Sequence, residues 1–202
     1  MDFLSIDISD EDKKLFFERL EHIYQEMEKR YSIVADALDF TCAGCNDNCC
    51  YTHFRHHTLI EFLFLAEGIN SLDHDLRAEI VQKASEVVSK TSEAEKKGLK
   101  IRILCPLNRD GLCVLYRHRL MICRLHGTAH YFDSPKGRVE GPGCFRFEEL
   151  SEGKKKVPML DRTDIYRNLA FLEMDLRKKT GYGFKFKHSI AEMVSGAFGG
   201  LK

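Results

Sequence analysis

Cysteine is the residue type in this sequence whose number and spacing are most suggestive of chemistry. Four of the eight cysteines fall within nine positions, in the segment CAGCNDNCC at residues 42–50, and the other four are spread over residues 105–144. A thiolate can ligate a metal, act as a nucleophile or enter a disulfide, whereas a neutral thiol packs as a small apolar group. Spacing alone leaves these roles open.

The sequence favours an intracellular protein, which bears on the role of the thiols. The first residues, MDFLSIDISDEDKK, are acidic where a secretion signal is basic and then apolar. The longest apolar stretch, LIEFLFLA at 59–66, is too short to span a bilayer. We therefore expect a soluble, cytoplasmic protein with no membrane partner. Cytosolic thiols stay reduced, so eight of them indicate metal binding or thiol chemistry instead of disulfides.

Charge argues against one class of partner. Lys and Arg total 31, equal to Asp and Glu, so the formal net charge is zero. Nucleic-acid-binding proteins usually carry a basic excess, and the one dense basic run, Lys154–Lys156, is typical of a solvated loop. We expect no nucleic-acid partner.

The metal that suits these residues is a soft one. Thiolate donors favour zinc or an iron–sulfur cluster over magnesium or calcium, and both zinc and a 4Fe–4S cluster use four thiolates. Eight thiolates exceed the needs of one zinc ion, which favours iron–sulfur, although the sequence does not separate the two metals. The candidate ligands are Cys42, Cys45, Cys49, Cys50, Cys105, Cys113, Cys123 and Cys144.

Periodicity predicts a mainly α-helical fold with helices packed around an irregular, cysteine-rich metal-binding centre with short strands. Apolar residues at helical spacing predict long helices over 10–38, 73–97 and 165–181, and a shorter one over about 188–198. Thr58 with Glu61 has the capping-box pattern for a further helix, which we expect Gly68 to weaken or end. Residues 101–150 carry Gly, Pro and short apolar pieces, which indicates turns and short strands. We expect a single domain over 1–202, with a metal-binding core at 40–147 and helical flanks at 1–39 and 158–202.

The cysteine motifs resemble those of the YkgJ-type cysteine-cluster family, described as a zinc- or iron-chelating domain. The similarity lies in C-x-x-C-x-x-x-C-C at 42–50, followed by CPLNRDGLCVLYRHRLMICRLHG at 105–127. The second segment has Cys-Pro, Gly-x-Cys-x-x-Tyr and an Arg-x-x-x-Cys-Arg element, with Leu120 where the family usually has proline. The resemblance covers about residues 40–147 and implies a cysteine-ligated metal site there.

Cations and histidines near the cysteines are the other candidates. A four-thiolate site carries a net charge near minus two, which Arg102, Arg119 and Arg124 could offset, although surface salt bridges would explain them equally well. His126 and His130 are separated by Gly127 and Thr128 in a segment typical of a strand or turn, so we do not expect them to bind metal as a helical pair. His53, His56 and His57 are expected to be solvated residues before a helix.

The adjacent pair Cys49 and Cys50 constrains any metal site. Neighbouring side chains diverge, by about 100° on a helix and to opposite faces on a strand, so two adjacent sulfurs rarely converge on one zinc ion. We therefore expect one of the pair to bind with Cys42 and Cys45, and the other to face the cysteines at 105–144.

Three functions remain open from the sequence, and it does not decide whether the protein is an enzyme. The first is an iron–sulfur protein with a redox or sensing role. The second is a lysine N-methylase-like enzyme using S-adenosylmethionine, which the resemblance to one branch of the YkgJ-type family implies. The third is a closed zinc site that stabilises a helical domain for binding a protein partner.

Overall fold

A computed structural model describes residues 6–42, 45, 49–52 and 54–199, and this part of the chain is mainly helical, as predicted. Its helices are α1 (Asp10–Asp36), α2 (Leu59–Asn70), α3 (His74–Lys96), α4 (Met121–Leu125), α5 (Phe145–Ser151), α6 (Thr163–Thr180) and α7 (Ile190–Phe198). Its strands are β1 (Asn108–Arg109), β2 (Leu112–Cys113), β3 (His130–Ser134), β4 (Gly137–Gly141) and β5 (Leu160–Asp161).

The ends of the long helices lie where the sequence predicts them. The Ser9 side chain accepts a hydrogen bond from the Asp12 amide at 3.1 Å, which caps α1. Asp73 caps α3 in the same way, and α3 is followed by Gly98 with a φ of 65°. Gly181, with a φ of 67°, ends α6 in the left-handed conformation that glycine adopts without a steric penalty.

The structure contradicts the capping box expected at the start of α2 and the expected end of the helix at Gly68. The Thr58 hydroxyl bonds to the Glu61 carboxylate instead of capping a backbone amide, so the capping box does not form. Gly68 does not end the helix either, because α2 continues to Asn70. A Cβ atom at Gly68 would lie 2.6 Å from Cγ of His118, so a close approach to that ring is the reason for glycine here.

The long helices form a frame around one apolar core. We use "helical frame" for α1, α2, α3, α6 and α7. In the frame α1 packs against α2 and α6, and α3 packs against α7. Leu20 and Met27 of α1, with Leu176 of α6, are fully buried in the core. Burial of such side chains is the main source of stability in a helical protein.

Residues 101–150 contain only short elements, as predicted. β1 and β2 form an antiparallel hairpin, and β3 lies between β4, which is antiparallel to it, and β5, which is parallel. The helices α4 and α5 are each shorter than two full turns. None of the described helices combines the length and the apolar character needed to cross a membrane.

Candidate metal centre

All eight cysteines line a single cavity of about 770 Å³. Each is a free thiol in the structure, with Cys42 exposed and the other seven partly buried. The cavity therefore brings together two segments that are more than fifty residues apart in sequence. Sequence reasoning named these eight residues, and the structure gathers all of them around one volume.

Backbone hydrogen bonds hold three of the cysteines on one side of this cavity. The Cys105 amide donates to the Cys50 carbonyl at 2.8 Å, which joins the two cysteine segments through main-chain atoms. The Asn108 amide then donates to the Cys105 carbonyl at 2.9 Å, forming a turn that leads into β1. Asn108 pairs with Cys113 across the β1–β2 hairpin. Cys50, Cys105 and Cys113 are thus positioned by one continuous set of backbone contacts.

Cys123 is positioned by a buried carboxylate. It lies in the short helix α4, whose first amide, that of Met121, donates to Glu61. Glu61 is only 2% exposed and also accepts a hydrogen bond from the Tyr24 hydroxyl at 2.9 Å. Burial raises the pKa of this carboxyl. Glu61 thereby attaches α4, and with it Cys123, to the helical frame.

Leu120, immediately before α4, is where the sequence departs from the motif that it resembles. Its backbone has a φ of −77° and a ψ of 161°, which is a conformation that proline also adopts. The Arg119 residue before it is extended, with a ψ of 138°, as residues before proline usually are. The turn into α4 therefore has proline-like geometry although it contains leucine.

A second set of contacts positions Cys42, Cys45 and Cys144. The Cys45 amide donates to the Cys42 carbonyl at 3.2 Å, and the Cys144 amide donates to the Gly127 carbonyl at 2.9 Å. Gly127 has a φ of 114°, and a Cβ atom there would lie 3.2 Å from the Tyr31 hydroxyl and closer still to a neighbouring ring. Glycine at this position allows the segment whose carbonyl holds the Cys144 amide to pack against Tyr31 of α1.

The protein environment keeps most of these thiols neutral. Burial raises the pKa of Cys105 and Cys113, and it raises that of Cys123 to about 12. Cys50 differs from these three thiols, because hydrogen bonding from the Cys49 thiol lowers its pKa. A bound metal cation deprotonates its thiol ligands, so it would supply the positive charge that the buried thiols need in order to ionise.

Arg119 is the cation best placed to face the thiols. Its guanidinium carbon lies 3.7 Å from the centre of the Tyr116 ring, and its Nε atom is buried without a hydrogen-bond partner among the described residues. Its charge acts to lower the pKa of both Cys42 and Cys113, which belong to the two different sets of contacts. An unpaired buried N–H of a cation suits an anionic group in the cavity.

Arg124 and Arg102 have other partners. The Arg124 side chain is 5% exposed, pairs with Glu28, and lies 4.0 Å from the centre of the Tyr24 ring. Arg124 is therefore a buried structural residue. The sequence had suggested a surface salt bridge instead. Arg102 lies 5.1 Å from the ring centre of Tyr51, next to Cys50.

The histidines differ in part from expectation. His130 begins β3, and its ring packs where a Cβ atom of Gly141 would be, while His126 lines the cavity 5.1 Å from the Phe54 ring centre. His56 was expected to be solvated, but it is 4% exposed and burial lowers its pKa to about 4. The cause is a backbone bridge to His188, which draws this segment onto the frame. His57 is exposed, and His53 lies outside the described residues.

Sequence reasoning missed two supporting residues. Glu61 was considered only as a capping residue, although a charged residue within the apolar run LIEFLFLA was a signal that it is buried and paired. Tyr31 was not considered as part of the site. Its hydroxyl donates to the His126 carbonyl at 3.2 Å, a contact for which the sequence carried no signal.

The described cysteines line the cavity without forming a closed coordination shell. Within residues 6–42, 45, 49–52 and 54–199, no three His, Cys, Asp or Glu side chains meet closely enough to hold one metal ion. No protein family profile, no curated protein and no solved structure matches this chain.

Proposed function

We propose that this protein binds metal through its cysteines, as an iron–sulfur protein with a redox or sensing role. The observation that carries the proposal is that all eight cysteines, from two distant segments, line one cavity. Eight thiols around a common volume are hard to explain as apolar packing alone, because a core of this size uses branched aliphatic and aromatic residues for that purpose.

The residues around the cavity fit a thiolate-bound group. The donors are all sulfur, which is the ligand set of iron–sulfur clusters and of structural zinc. Arg119 offers a buried N–H that has no partner in the described part of the chain, and hydrogen bonds to cluster sulfurs tune a reduction potential. An iron–sulfur cluster would supply one-electron chemistry. The protein would hold it, limit its exposure to water and offset its negative charge.

The same thiols would also suit zinc, as in the third function considered from the sequence. The number of thiolates still favours clusters, since one zinc ion uses four. The proposal also agrees with the resemblance to a zinc- or iron-chelating domain, although no family profile matches the chain.

The test is analysis of metal and acid-labile sulfide in protein purified without oxygen. We expect iron and sulfide in equal amounts, with visible absorbance that bleaches on reduction. Stoichiometric zinc without sulfide would replace the redox function by a structural one. No bound metal, with all eight thiols reacting freely, would overturn the proposal.

A matched pair of variants separates loss of a ligand from general damage. Cys113→Ser removes a thiol on β2 and should lower the metal content. Leu112→Ser changes the preceding residue, which is 73% exposed, and should leave the metal content unchanged. Equal metal content in the two variants would mean that Cys113 is not a ligand.

A further inference from the structure

Asn108 carries a buried hydrogen-bond donor that the described part of the chain leaves unused. The residue is only 5% exposed, and its side-chain Nδ2 atom has no hydrogen-bond partner among the described residues. Buried donors without a partner are rare in native proteins, because each one costs free energy. The Nδ2 atom therefore indicates that an acceptor stands beside it in the functional state of the protein.

The turn that joins β1 to β2 fixes the orientation of the Asn108 amide. Its Oδ1 atom accepts a hydrogen bond from the Gly111 amide at 3.1 Å. A flipped side chain would place the NH2 group against this N–H donor, so the oxygen must face Gly111 and the Nδ2 atom must point elsewhere. Asp110 and Gly111 have φ values of 52° and 85°, the left-handed conformations that such a turn uses.

The backbone places Asn108 among three of the candidate ligands. Its own amide donates to the Cys105 carbonyl at 2.9 Å, and across the hairpin it pairs with Cys113. The Cys105 amide in turn donates to the Cys50 carbonyl at 2.8 Å. Asn108 therefore lies where the two cysteine segments are joined, and the contacts that hold it there involve no thiol.

The Asn108 side chain acts on the thiol of Cys50. Hydrogen bonding from the Cys49 thiol is the main influence that lowers the pKa of Cys50, and Asn108 acts in the same direction, against the effect of burial. A neutral thiol is a weak acceptor, whereas a thiolate is a strong one. The Asn108 N–H group would thus gain its acceptor when Cys50 loses a proton to bind metal.

A purely structural role does not account for this side chain. The contact with Gly111 uses only the oxygen, and aspartate offers the same oxygen and is favoured in the same turns. Aspartate would, however, place a second carboxylate oxygen where Asn108 carries its N–H group. That oxygen would repel sulfurs that become negatively charged on binding metal, so an amide suits this position better than a carboxylate.

We propose that Asn108 is a positioning residue of the metal centre, whose side-chain N–H group donates a hydrogen bond to the metal-bound sulfur of Cys50. This inference rests on the proposed function. Hydrogen bonds of this kind hold a ligating sulfur in place, and in an iron–sulfur centre they raise the reduction potential by stabilising the more negative reduced state.

The first test detects the hydrogen bond itself. The wild-type protein is loaded with an NMR-active isotope of cadmium(II), a soft cation that suits thiolate ligands. We expect scalar coupling between the cadmium nucleus and a side-chain amide proton of Asn108, transmitted through the Cys50 sulfur. No coupling, with these protons exchanging with solvent as fast in the loaded protein as in the metal-free one, would overturn the inference.

A matched set of variants measures what the hydrogen bond does. Asn108→Asp keeps the oxygen that accepts from Gly111 but loses the N–H group, and Asn108→Leu loses that group without adding a charge. Gly111→Ala strains the same turn, at a φ of 85°, and keeps the Asn108 donor.

We expect both Asn108 variants to bind cadmium(II) more weakly than the wild type and to lower the reduction potential of the iron-loaded protein. The larger effect should come from Asn108→Asp, because it adds a like charge beside the thiolates. Gly111→Ala should unfold more easily but keep the wild-type affinity and potential.

The outcomes separate this inference from the proposed function. Wild-type affinity and potential in both Asn108 variants would overturn the role of Asn108 while leaving metal binding intact. Equal shifts in Asn108→Leu and Gly111→Ala would overturn it as well, since damage to the turn would then explain them. No metal bound by the wild-type protein would overturn both proposals.

Discussion

The helical frame and the cysteine-bearing centre are stabilised in different ways. In the frame, fully buried residues such as Leu20, Met27 and Leu176 recur at helical spacing and pack against one another. The cysteine-bearing centre comprises residues 49–52 and the β1–β2 hairpin. There the chain is held by single backbone hydrogen bonds, such as that from Cys105 to Cys50, and by two-residue strands. Local stability follows the number of buried apolar contacts, so the frame should remain folded under conditions that open the centre.

The two regions are nevertheless joined at defined points. Leu120, Leu125 and Phe147 come from the irregular region and are fully buried in the common core. Glu61 of the frame accepts the first amide of α4. If the protein binds metal as proposed, we expect α4 and α5 to keep their structure together with the frame when the metal is removed. The β1–β2 hairpin and residues 49–52 should lose theirs.

Removal of metal should produce the largest effect and tests this difference most directly. Because metal-binding energy becomes folding energy, chelation should raise amide hydrogen exchange in the β1–β2 hairpin towards the rate of unprotected amides. Exchange in the middle of α1 should remain slow. Hydrogen exchange with mass spectrometry checks this, and equal acceleration in both segments would contradict it.

A cavity created in the core should destabilise the helical frame itself. Leu176→Ala removes a fully buried side chain of α6 and should lower the free energy of unfolding by about 2–5 kcal/mol. Met174→Ala lies on the same helix at a residue that is 63% exposed and should change it little. Urea unfolding measures both variants. A smaller loss for Leu176→Ala than for Met174→Ala would mean that the frame does not depend on this core.

Acid should weaken the junction of the frame with the segment before α2. Burial lowers the folded-state pKa of His56 to about 4, below its usual value of 6.5, so the folded state favours the neutral ring. The stabilising contribution is therefore complete above about pH 6.5 and is lost as the pH falls towards 4. The loss amounts to about 3 kcal/mol.

His56→Leu should remove this part of the pH dependence, measured as unfolding free energy from pH 7 to 4 in metal-free protein. The control is His74→Leu, which removes a ring that is 83% exposed and lies outside the segment before α2. Identical slopes in wild type and His56→Leu would show that His56 does not titrate with unfolding.

Sequence patterns were sufficient for the parts of the fold whose stability is local. The apolar spacing of α1, α3 and α6 predicted their extents to within a few residues. Gly68 was misread because its glycine is required by the His118 ring, which is fifty residues away. His56 was misread for the same kind of reason, since its burial comes from a bridge to His188.

The members of the candidate site were predictable from the sequence, but the contacts that bring them together were not. Eight cysteines, four of them within nine positions, identify themselves as candidate ligands. Which ones are neighbours depends on turns, such as the one that carries Cys144 to the Gly127 carbonyl. No pattern in a single sequence records where such a turn docks.

The hydrogen bond between the Cys105 amide and the Cys50 carbonyl uses main-chain atoms alone. It therefore survives substitution of any side chain that leaves the backbone path unchanged. Over evolutionary time a lineage could lose individual thiols at this cavity and keep the alignment of its two halves. The backbone arrangement would then persist after the original thiols are lost and remain available for another ligand set.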